Sequence, residues 1–398
     1  MKPAVPPLSR RILRVKSSPT VALNAKAKAL AKEGVKVYNF AVGEPDFPTP
    51  KAVVDKAIAA LQAGRTKYGP AGGGAEFLQA ISSKLKRENG LDFAPSQIVA
   101  GIGAKEILFH IGLALINDGD EVIIPSPYWV SYPDQVVAAG GVPVFLPMPE
   151  DPAAQPLDVN ALKQAATAKT VAIVLNSPSN PAGTMYDERL LHELGTFLCT
   201  TNWWIISDEI YEYMAFDHPH VSLLKLFPQL AERFILVNGL SKGAAMTGWR
   251  VGYCAGPTAV MKLVRDLQSH SSTCLPPFIE DAATYAIGQG NALLKHEVGI
   301  MKTRRDLALG LLKQMPGVKV AQPHGAFYIF IDVRPALRQA KTKIDTMALS
   351  EKLLLEQHIA LVPGDAFGAP GFLRLSYACD EATITGGLQR LAAGLSAL

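Results

Sequence analysis

Short apolar runs alternate with longer segments of helical character between about residues 95 and 255. Each run is β-rich and is followed by a polar or Gly- and Pro-containing loop, and then by a stretch with the period of a helix. These stretches are long enough for the crossovers that connect parallel strands. We therefore predict an α/β fold with a mixed, mostly parallel sheet covered by helices. The clearest predicted strands are 121–124, 170–175, 203–206 and 234–237.

A different pattern begins near residue 290. An amphipathic segment is followed by a strand-like run, a second helical segment and another strand-like run, which is typical of a smaller α+β domain. Three prolines between residues 45 and 50 interrupt the chain, so the N-terminal segment is expected to join the smaller domain. The four C-terminal segments are 291–314, 326–332, 346–357 and 372–377. The predicted division is a large domain at 49–290, and a small domain with an N-terminal arm at 1–48 and 291–398.

The composition is that of an ordinary globular protein, with 48% of the 398 residues hydrophobic and 19% charged. The net charge of +4 is mild and no basic run suggests a nucleic-acid partner. No apolar stretch reaches the ~18 residues of a membrane span, and four scattered cysteines favour reduced thiols, so we predict a cytoplasmic protein. Residues 1–32 are basic like a transit peptide, but we interpret them as an ordered arm.

His218 and His220 lack suitably spaced Cys or acidic partners, and we predict no metal site.

Polar residues follow three of the predicted strands, where ligands of open α/β sheets bind. Asn180 follows the second strand, and Asp208 and Tyr211 follow the third. Lys242 follows the fourth strand, and Arg250 comes eight residues later. Because the carboxyl ends of parallel strands meet at one edge, we expect an amide, an acid, a phenol and a lysine to converge there.

This set of side chains suits a pyridine aldehyde that acts as an electron sink. A buried carboxylate such as Asp208 can keep the ring nitrogen protonated by ion pairing. Asn180 and Tyr211 can donate hydrogen bonds to a phenolic oxygen. The aldehyde requires an amine of lowered pKa, and Lys242 beside a pyridinium and Arg250 meets that requirement.

A phosphate on such a cofactor requires a bidentate cation and backbone N–H groups. Arg250 can supply the first, and the turn of Gly103, Ala104 and Lys105, which opens a predicted helix, can supply the second. The triple glycine at 72–74 is not a phosphate loop, because no Lys-Ser/Thr pair follows it. We interpret those glycines as a tight turn.

The motifs of the chain resemble those of class I aminotransferases along nearly its whole length. The most specific is the lysine signature at 239–253, which reads GLSKGAAMTGWRVGY. The resemblance is closest to the bacterial aspartate aminotransferase branch, which includes aspartate/prephenate aminotransferases. Further matching motifs are LSRR at 8–11, SPTVA at 18–22, GEPDF at 43–47, KY at 67–68, PYWVSY at 127–132, NP at 180–181, DEIYE at 208–212, HGAFY at 324–328 and RLSYA at 374–378.

The resemblance implies pyridoxal 5'-phosphate as the cofactor and the fold of the pyridoxal-phosphate-dependent transferases. It implies that Lys242 forms the Schiff base and moves the proton between substrate Cα and cofactor C4′. Trp129 is expected to stack on the ring and Ser241 to contact the cofactor. Arg374 is expected to bind the substrate α-carboxylate through two hydrogen bonds. Tyr68 is expected to reach a phosphate in the partner subunit of a homodimer whose active sites are shared across the interface.

For the substrate, the resemblance implies that Gly43, Trp129 and Asn180 line its side of the site and that Lys105 faces a distal carboxylate. We predict an aminotransferase that takes the amino group from aspartate and gives it to 2-oxoglutarate, and also to prephenate, by a ping-pong mechanism. An aromatic or broad-range aminotransferase or a β-lyase on the same scaffold remains an alternative. A cofactor-binding regulator is disfavoured, because residues 1–48 are too few and too interrupted by proline to form a helix-turn-helix module.

Overall fold

The computed structural model describes residues 6–17, 19–149 and 156–398, so Ser18 of the predicted arm motif lies outside the described residues. The strands are β1 (Tyr38–Asn39), β2 (Ile98–Ile102), β3 (Glu121–Pro125), β4 (Val142–Leu146), β5 (Thr170–Asn176), β6 (Trp204–Asp208), β7 (Phe234–Gly239), β8 (Val251–Ala255), β9 (Lys319–Val320), β10 (Tyr328–Asp332), β11 (Ile359–Ala360), β12 (Val362–Pro363) and β13 (Phe372–Ser376). The α-helices are α1 (Pro19–Lys32), α2 (Lys51–Gln62), α3 (Ala75–Lys84), α4 (Ala104–Leu115), α5 (Ser131–Ala139), α6 (Val159–Ala165), α7 (Glu188–Leu198), α8 (Leu223–Leu226), α9 (Leu240–Gly243), α10 (Thr258–His270), α11 (Pro277–Gln289), α12 (Lys295–Lys313), α13 (Arg334–Gln339), α14 (Thr346–Gln357) and α15 (Glu381–Ser396).

A seven-stranded sheet in the order β2-β8-β7-β6-β5-β3-β4 forms the centre of the fold. Its pairings are parallel from β7 to β4, whereas β8 runs antiparallel between β2 and β7. Alternate side chains of the strands enter two apolar clusters: Ile205 and Leu236 belong to one, and Ile206 and Val237 to the other. Both faces are therefore buried, which explains why these strands read as continuous apolar runs. The predicted α/β fold with a mixed, mostly parallel sheet is confirmed.

Register brings the chemically active side chains to one edge of this sheet. Asn176, the last residue of β5, is opposite Asp208, the last residue of β6. Asp208 in turn is opposite Val237 of β7, two residues before that strand ends. The strand β6 extends two residues beyond the predicted run, so Asp208 is held by the sheet itself.

A second sheet, in the order β12-β13-β10-β9, is antiparallel and lies in a separate apolar cluster with α12, α14 and α15. The N-terminal strand β1 pairs in parallel with β11, so the start of the chain packs with its C-terminal elements. This pairing agrees with the expected composition of the smaller domain, while the boundaries at 49–290 stay a prediction. The strand β10 begins two residues later than predicted, because Ala326 has a φ of 57° and cannot continue a strand.

The helices of the described segments are too short or too polar to cross a lipid bilayer.

Candidate active site

A cavity of about 320 Å³ lies beyond the carboxyl ends of β5, β6 and β7. Its wall also includes side chains of the smaller sheet, so the site lies between the two sheets. The predicted site residues that line the cavity are Gly43, Ala104, Lys105, Trp129, Asn180, Asp208, Tyr211, Ser241, Lys242, Arg250 and Arg374.

Asp208 is a buried carboxylate without a cationic partner. Its Oδ2 accepts a hydrogen bond of 2.7 Å from the Tyr132 hydroxyl, and its Oδ1 accepts one of 3.3 Å from the backbone N–H of Ile210. No Lys, Arg or His of the described residues forms an ion pair with it. Burial raises the pKa of Asp208 to about 6, although the hydrogen bond from Tyr132 lowers it. A cationic ligand atom would relieve this burial cost.

Lys242 is the second ionisable group of the cavity. It lies on α9, directly after β7, and its Nζ donates a 2.6 Å hydrogen bond to the carbonyl oxygen of Gly43. Burial lowers the pKa of Lys242 to about 8; Glu44 opposes this shift and Arg374 adds to it. The amine is therefore available in its neutral, nucleophilic form at a pH close to neutrality.

Arg250 and the start of α4 form a cationic concave surface. Arg250 adopts a φ of 58°, and its Nη1 donates a 3.0 Å hydrogen bond to the carbonyl oxygen of Thr247. Gly103, at the N-terminus of α4, has a φ of 82°, and a Cβ there would lie 2.6 Å from Nη2 of Arg250. Glycine thus allows the guanidinium to lie against the helix N-terminus, which is a favourable site for an anion.

Arg374 is a buried guanidinium whose hydrogen bonds go only to neutral groups. Its Nη1 donates to Asn180 Oδ1 at 3.1 Å and its Nη2 to the Ala41 carbonyl oxygen at 2.7 Å. Its Nε has no partner among the described residues. The guanidinium also lies over the Tyr328 ring, 4.7 Å from the centroid. A carboxylate ligand would supply the missing counter-charge.

Lys105 and Trp129 are neighbours in the same cavity. The Nζ of Lys105 lies 4.8 Å from the centroid of the Trp129 ring, a cation–π distance. Burial and the charge of Arg250 both lower the pKa of Lys105. The cation is thus held over an aromatic face and has no carboxylate within ion-pair distance among the described residues.

Several other cavity residues were not predicted from the sequence, and three of them, Tyr132, Asn176 and Tyr328, make hydrogen bonds to predicted site residues. Tyr132 supplies the hydrogen bond to Asp208, and Asn176 donates through Nδ2 to the Asp208 carbonyl oxygen at 2.9 Å. The Tyr328 hydroxyl is 3.0 Å from that of Tyr211. Asn176 was detectable as the polar residue directly after an apolar run. Tyr132 and Tyr328 lie within recognised motifs, but nothing in the sequence indicates what they contact.

Two predicted features lie away from the cavity. Tyr68 is 88% exposed and does not line it, and its role toward a partner subunit stays a prediction. The positions of acidic residues along the chain suggested no partner for His220, but its Nε2 lies 3.0 Å from Glu209 Oε2. Across 6–17, 19–149 and 156–398, however, no cluster of three or more His, Cys, Asp or Glu side chains is arranged to hold a metal.

The side chains fit a phosphorylated pyridine aldehyde. A buried anion without a cation, Asp208, and an amine of lowered pKa, Lys242, line the same cavity. The Arg250 guanidinium can lie against the N-terminus of α4 only because Gly103 has no Cβ. These features match the three polar groups of such a cofactor: ring nitrogen, aldehyde and phosphate.

Comparison with known proteins gives consistent matches. The family model for aminotransferase class I and II matches residues 35–391. The probable aspartate/prephenate aminotransferase of Aquifex aeolicus is 42% identical, over 96% of this chain and 97% of the relative. The aspartate aminotransferase of Thermus thermophilus with maleate has a TM-score of 0.91 at 38% identity, covering 98% of this chain and all of that one. That of Rhizobium meliloti has a TM-score of 0.93 at 36% identity, with 99% and 100% covered.

Proposed function

The chain belongs to the class I and II aminotransferases, which are pyridoxal-phosphate enzymes, and we propose that it moves the amino group of aspartate to 2-oxoglutarate by a ping-pong mechanism. Prephenate is a further acceptor in this proposal, in line with the names of two relatives. The observation that carries the proposal is a cavity in which unpaired Asp208, low-pKa Lys242 and unpaired Arg374 meet.

The cofactor is held, in this proposal, by residues that surround its polar groups. Asp208 pairs with the ring nitrogen, and Asn180 and Tyr211 donate to the phenolic oxygen. Asn180 has its Nδ2 available for this, because Arg374 uses only its Oδ1. When bound, the cofactor withdraws electrons from the substrate Cα and so acidifies the Cα proton. The remaining assigned contacts are those of Gly103, Ala104, Lys105 and Arg250 to the phosphate, of Trp129 to the ring face and of Ser241 to the cofactor.

Lys242 acts twice in the proposed mechanism. Its Nζ would hold the cofactor through the aldehyde, and as a free amine it would take the proton from the substrate Cα and hold it for return. A lysine in water is almost wholly protonated at neutral pH, whereas the pKa of about 8 leaves an appreciable neutral fraction. Burial of the side chain thus supplies the base that the reaction requires.

The substrate is oriented by its carboxylates. Arg374 binds the α-carboxylate through two hydrogen bonds, and Gly43 lines the same side of the cavity. Lys105 faces the distal carboxylate of a dicarboxylic substrate, for which it would exchange its contact with Trp129. A cation at this position favours a dicarboxylic over a monocarboxylic substrate, because only the dicarboxylic substrate presents a second negative charge to it.

We extend the proposal to the assembly: a cytoplasmic homodimer with a large domain of 49–290, and with Tyr68 of one protomer contacting the phosphate in the other. Exposed Tyr68 and exposed apolar Leu8 and Leu13 of the arm support it. Four free cysteines support a reducing compartment. Mixing Tyr68→Phe and Lys242→Ala subunits tests whether the active sites are shared across the interface. If they are, a mixed dimer has one site with both defects and one site with neither.

The central experiment uses purified protein and pyridoxal phosphate. We expect a yellow absorbance band on reconstitution, and its loss when L-aspartate is added without an oxo acid. Phenylalanine and a cysteine conjugate are compared at equal concentration, and faster loss with either would favour the aromatic or β-lyase alternative. The matched control is Lys242→Ala, in which the band and the proton transfer should both fail. Protein that stays colourless would refute the proposal.

A further inference from the structure

The end of β6 and the turn that follows it carry three carboxylates with buried side chains, of which only Asp208 lines the cavity. Glu212 is paired with the buried ammonium of Lys84. Glu209 is paired with His220: its Oε2 lies 3.0 Å from His220 Nε2, and the two side chains are 1% and 6% exposed. The two carboxylates that do not line the cavity therefore each have a basic partner.

The environment of Glu209 holds it in the ionised form. Its Oε1 accepts hydrogen bonds from the hydroxyls of Ser207 at 2.9 Å and Ser222 at 2.8 Å. Burial opposes ionisation, but His220 and the two hydroxyls lower the pKa of Glu209 overall. Burial likewise opposes protonation of His220, yet its partner raises the pKa of His220 above the ordinary value. Each partner therefore favours the charged form of the other, and the 3.0 Å contact joins a carboxylate to an imidazole whose protonated form it stabilises.

Glu209 is the chain neighbour of Asp208, and its negative charge acts to raise the pKa of Asp208. The other charged groups near this arrangement are Lys242 on the cavity side, and Glu212 with Lys84 on the far side of His220. The last two form their own ion pair. When protonated, His220 is consequently the cation that balances Glu209.

We propose that His220 is a positioning residue of the reaction: by pairing with Glu209 it cancels that charge at Asp208, so that Asp208 stays ionised for the ring nitrogen of the cofactor. This inference rests on the proposed function. His220 touches neither cofactor nor substrate and lies outside the residues that line the cavity. Its effect is electrostatic, through the carboxylate adjacent to Asp208.

The magnitude follows from Coulomb interaction. Unit charges about 10 Å apart at an effective dielectric constant of about 20 change each other's pKa by about one unit. In His220→Gln, Glu209 keeps its serine donors and loses its cation. We expect the acidic limb of the pH profile for the aspartate half-reaction to move up by about one unit, and cofactor affinity to fall about twofold at neutral pH and about tenfold at about pH 5, where Asp208, with its pKa of about 6, is mostly protonated in both proteins.

A double-mutant cycle separates charge balance from structural support. In the Glu209→Gln background both partners are neutral, so His220→Gln should leave the acidic limb within a fraction of a unit of its parent. The same limb is read from the absorbance of the bound cofactor against pH, which does not depend on turnover. If the single His220→Gln variant lowers activity without moving the limb, or moves it equally in both backgrounds, the proposal is wrong.

An NMR titration provides a measurement that needs no folded His220 variant. The ring protons of His220 should titrate above the ordinary histidine pKa in the wild-type holoenzyme and well below that position in Glu209→Gln. Equal titration in the two proteins would overturn the inference. Wild-type protein that binds no pyridoxal phosphate would instead refute the proposed function, so the two failures are distinguishable.

Discussion

Replacing Tyr132 with Phe tests how the protein keeps Asp208 ionised. The Tyr132 hydroxyl donates a 2.7 Å hydrogen bond to Asp208 Oδ2, and both side chains are buried. A hydrogen bond to a charged group contributes about 1.5–3 kcal/mol, and one pKa unit corresponds to about 1.4 kcal/mol. Because the lost donor stabilises the anion more than the acid, the pKa of Asp208 in the cofactor-free protein should rise from about 6 by about one to two units.

The assay is the dissociation constant of pyridoxal phosphate measured between about pH 5 and about pH 9. Affinity depends on ionised Asp208, so it should decline with acidification at a pH about one to two units higher in Tyr132→Phe than in the wild type. Tyr377→Phe is the matched control, since it deletes another buried hydroxyl, which donates to the Ala326 carbonyl oxygen at 3.2 Å. Coincident curves for Tyr132→Phe and wild type would show that Asp208 is not the group that titrates, and the reasoning would fail.

Three further predictions concern single contacts. Lys242→Ala should bind the cofactor without covalent attachment, so that borohydride reduction followed by mass spectrometry finds no added mass, whereas wild type gains it. Gly103→Ala should weaken cofactor binding at least about tenfold, because its Cβ would lie 2.6 Å from Arg250 Nη2. Gly119→Ala, with a similar φ of 88° and open space around it, should bind normally. Lys105→Met should reduce kcat/KM for aspartate about 10- to 100-fold more than for alanine, and equal losses would contradict the distal role.

Much of the site could be predicted because its residues follow strands. In a parallel sheet with both faces covered, the strands are continuous apolar runs, and the first polar residues after them lie at the edge where ligands bind. Asp208, Lys242 and Asn180 are all of this kind, and all three line the cavity. Spacing along the chain was sufficient to predict that these side chains meet, since the strand register aligns the ends of β5, β6 and β7.

The rest could not be predicted, because it depends on contacts between distant segments. Tyr132 lies on α5 and meets Asp208 across 76 positions of the chain, which no local pattern encodes. Tyr328 reaches the cavity from the second sheet, and its direction depends on the left-handed conformation of Ala326. His220 looked like a loop histidine without partners until the fold brought Glu209 to it.

The distribution of buried charge separates structural from ligand-binding groups. Burying an unpaired charge costs several kcal/mol, so a buried charged side chain is normally balanced by another side chain or by a bound ligand. Glu209 is balanced by His220, and Arg305 by Asp217 at 2.6 Å. Asp208 and Arg374 are equally buried and make only neutral hydrogen bonds among the described residues. Since their signs are opposite and they line one cavity, ligands that present a cation to one and an anion to the other would balance both charges. A protonated pyridine ring and an amino acid carboxylate together meet that requirement, and neither does so alone.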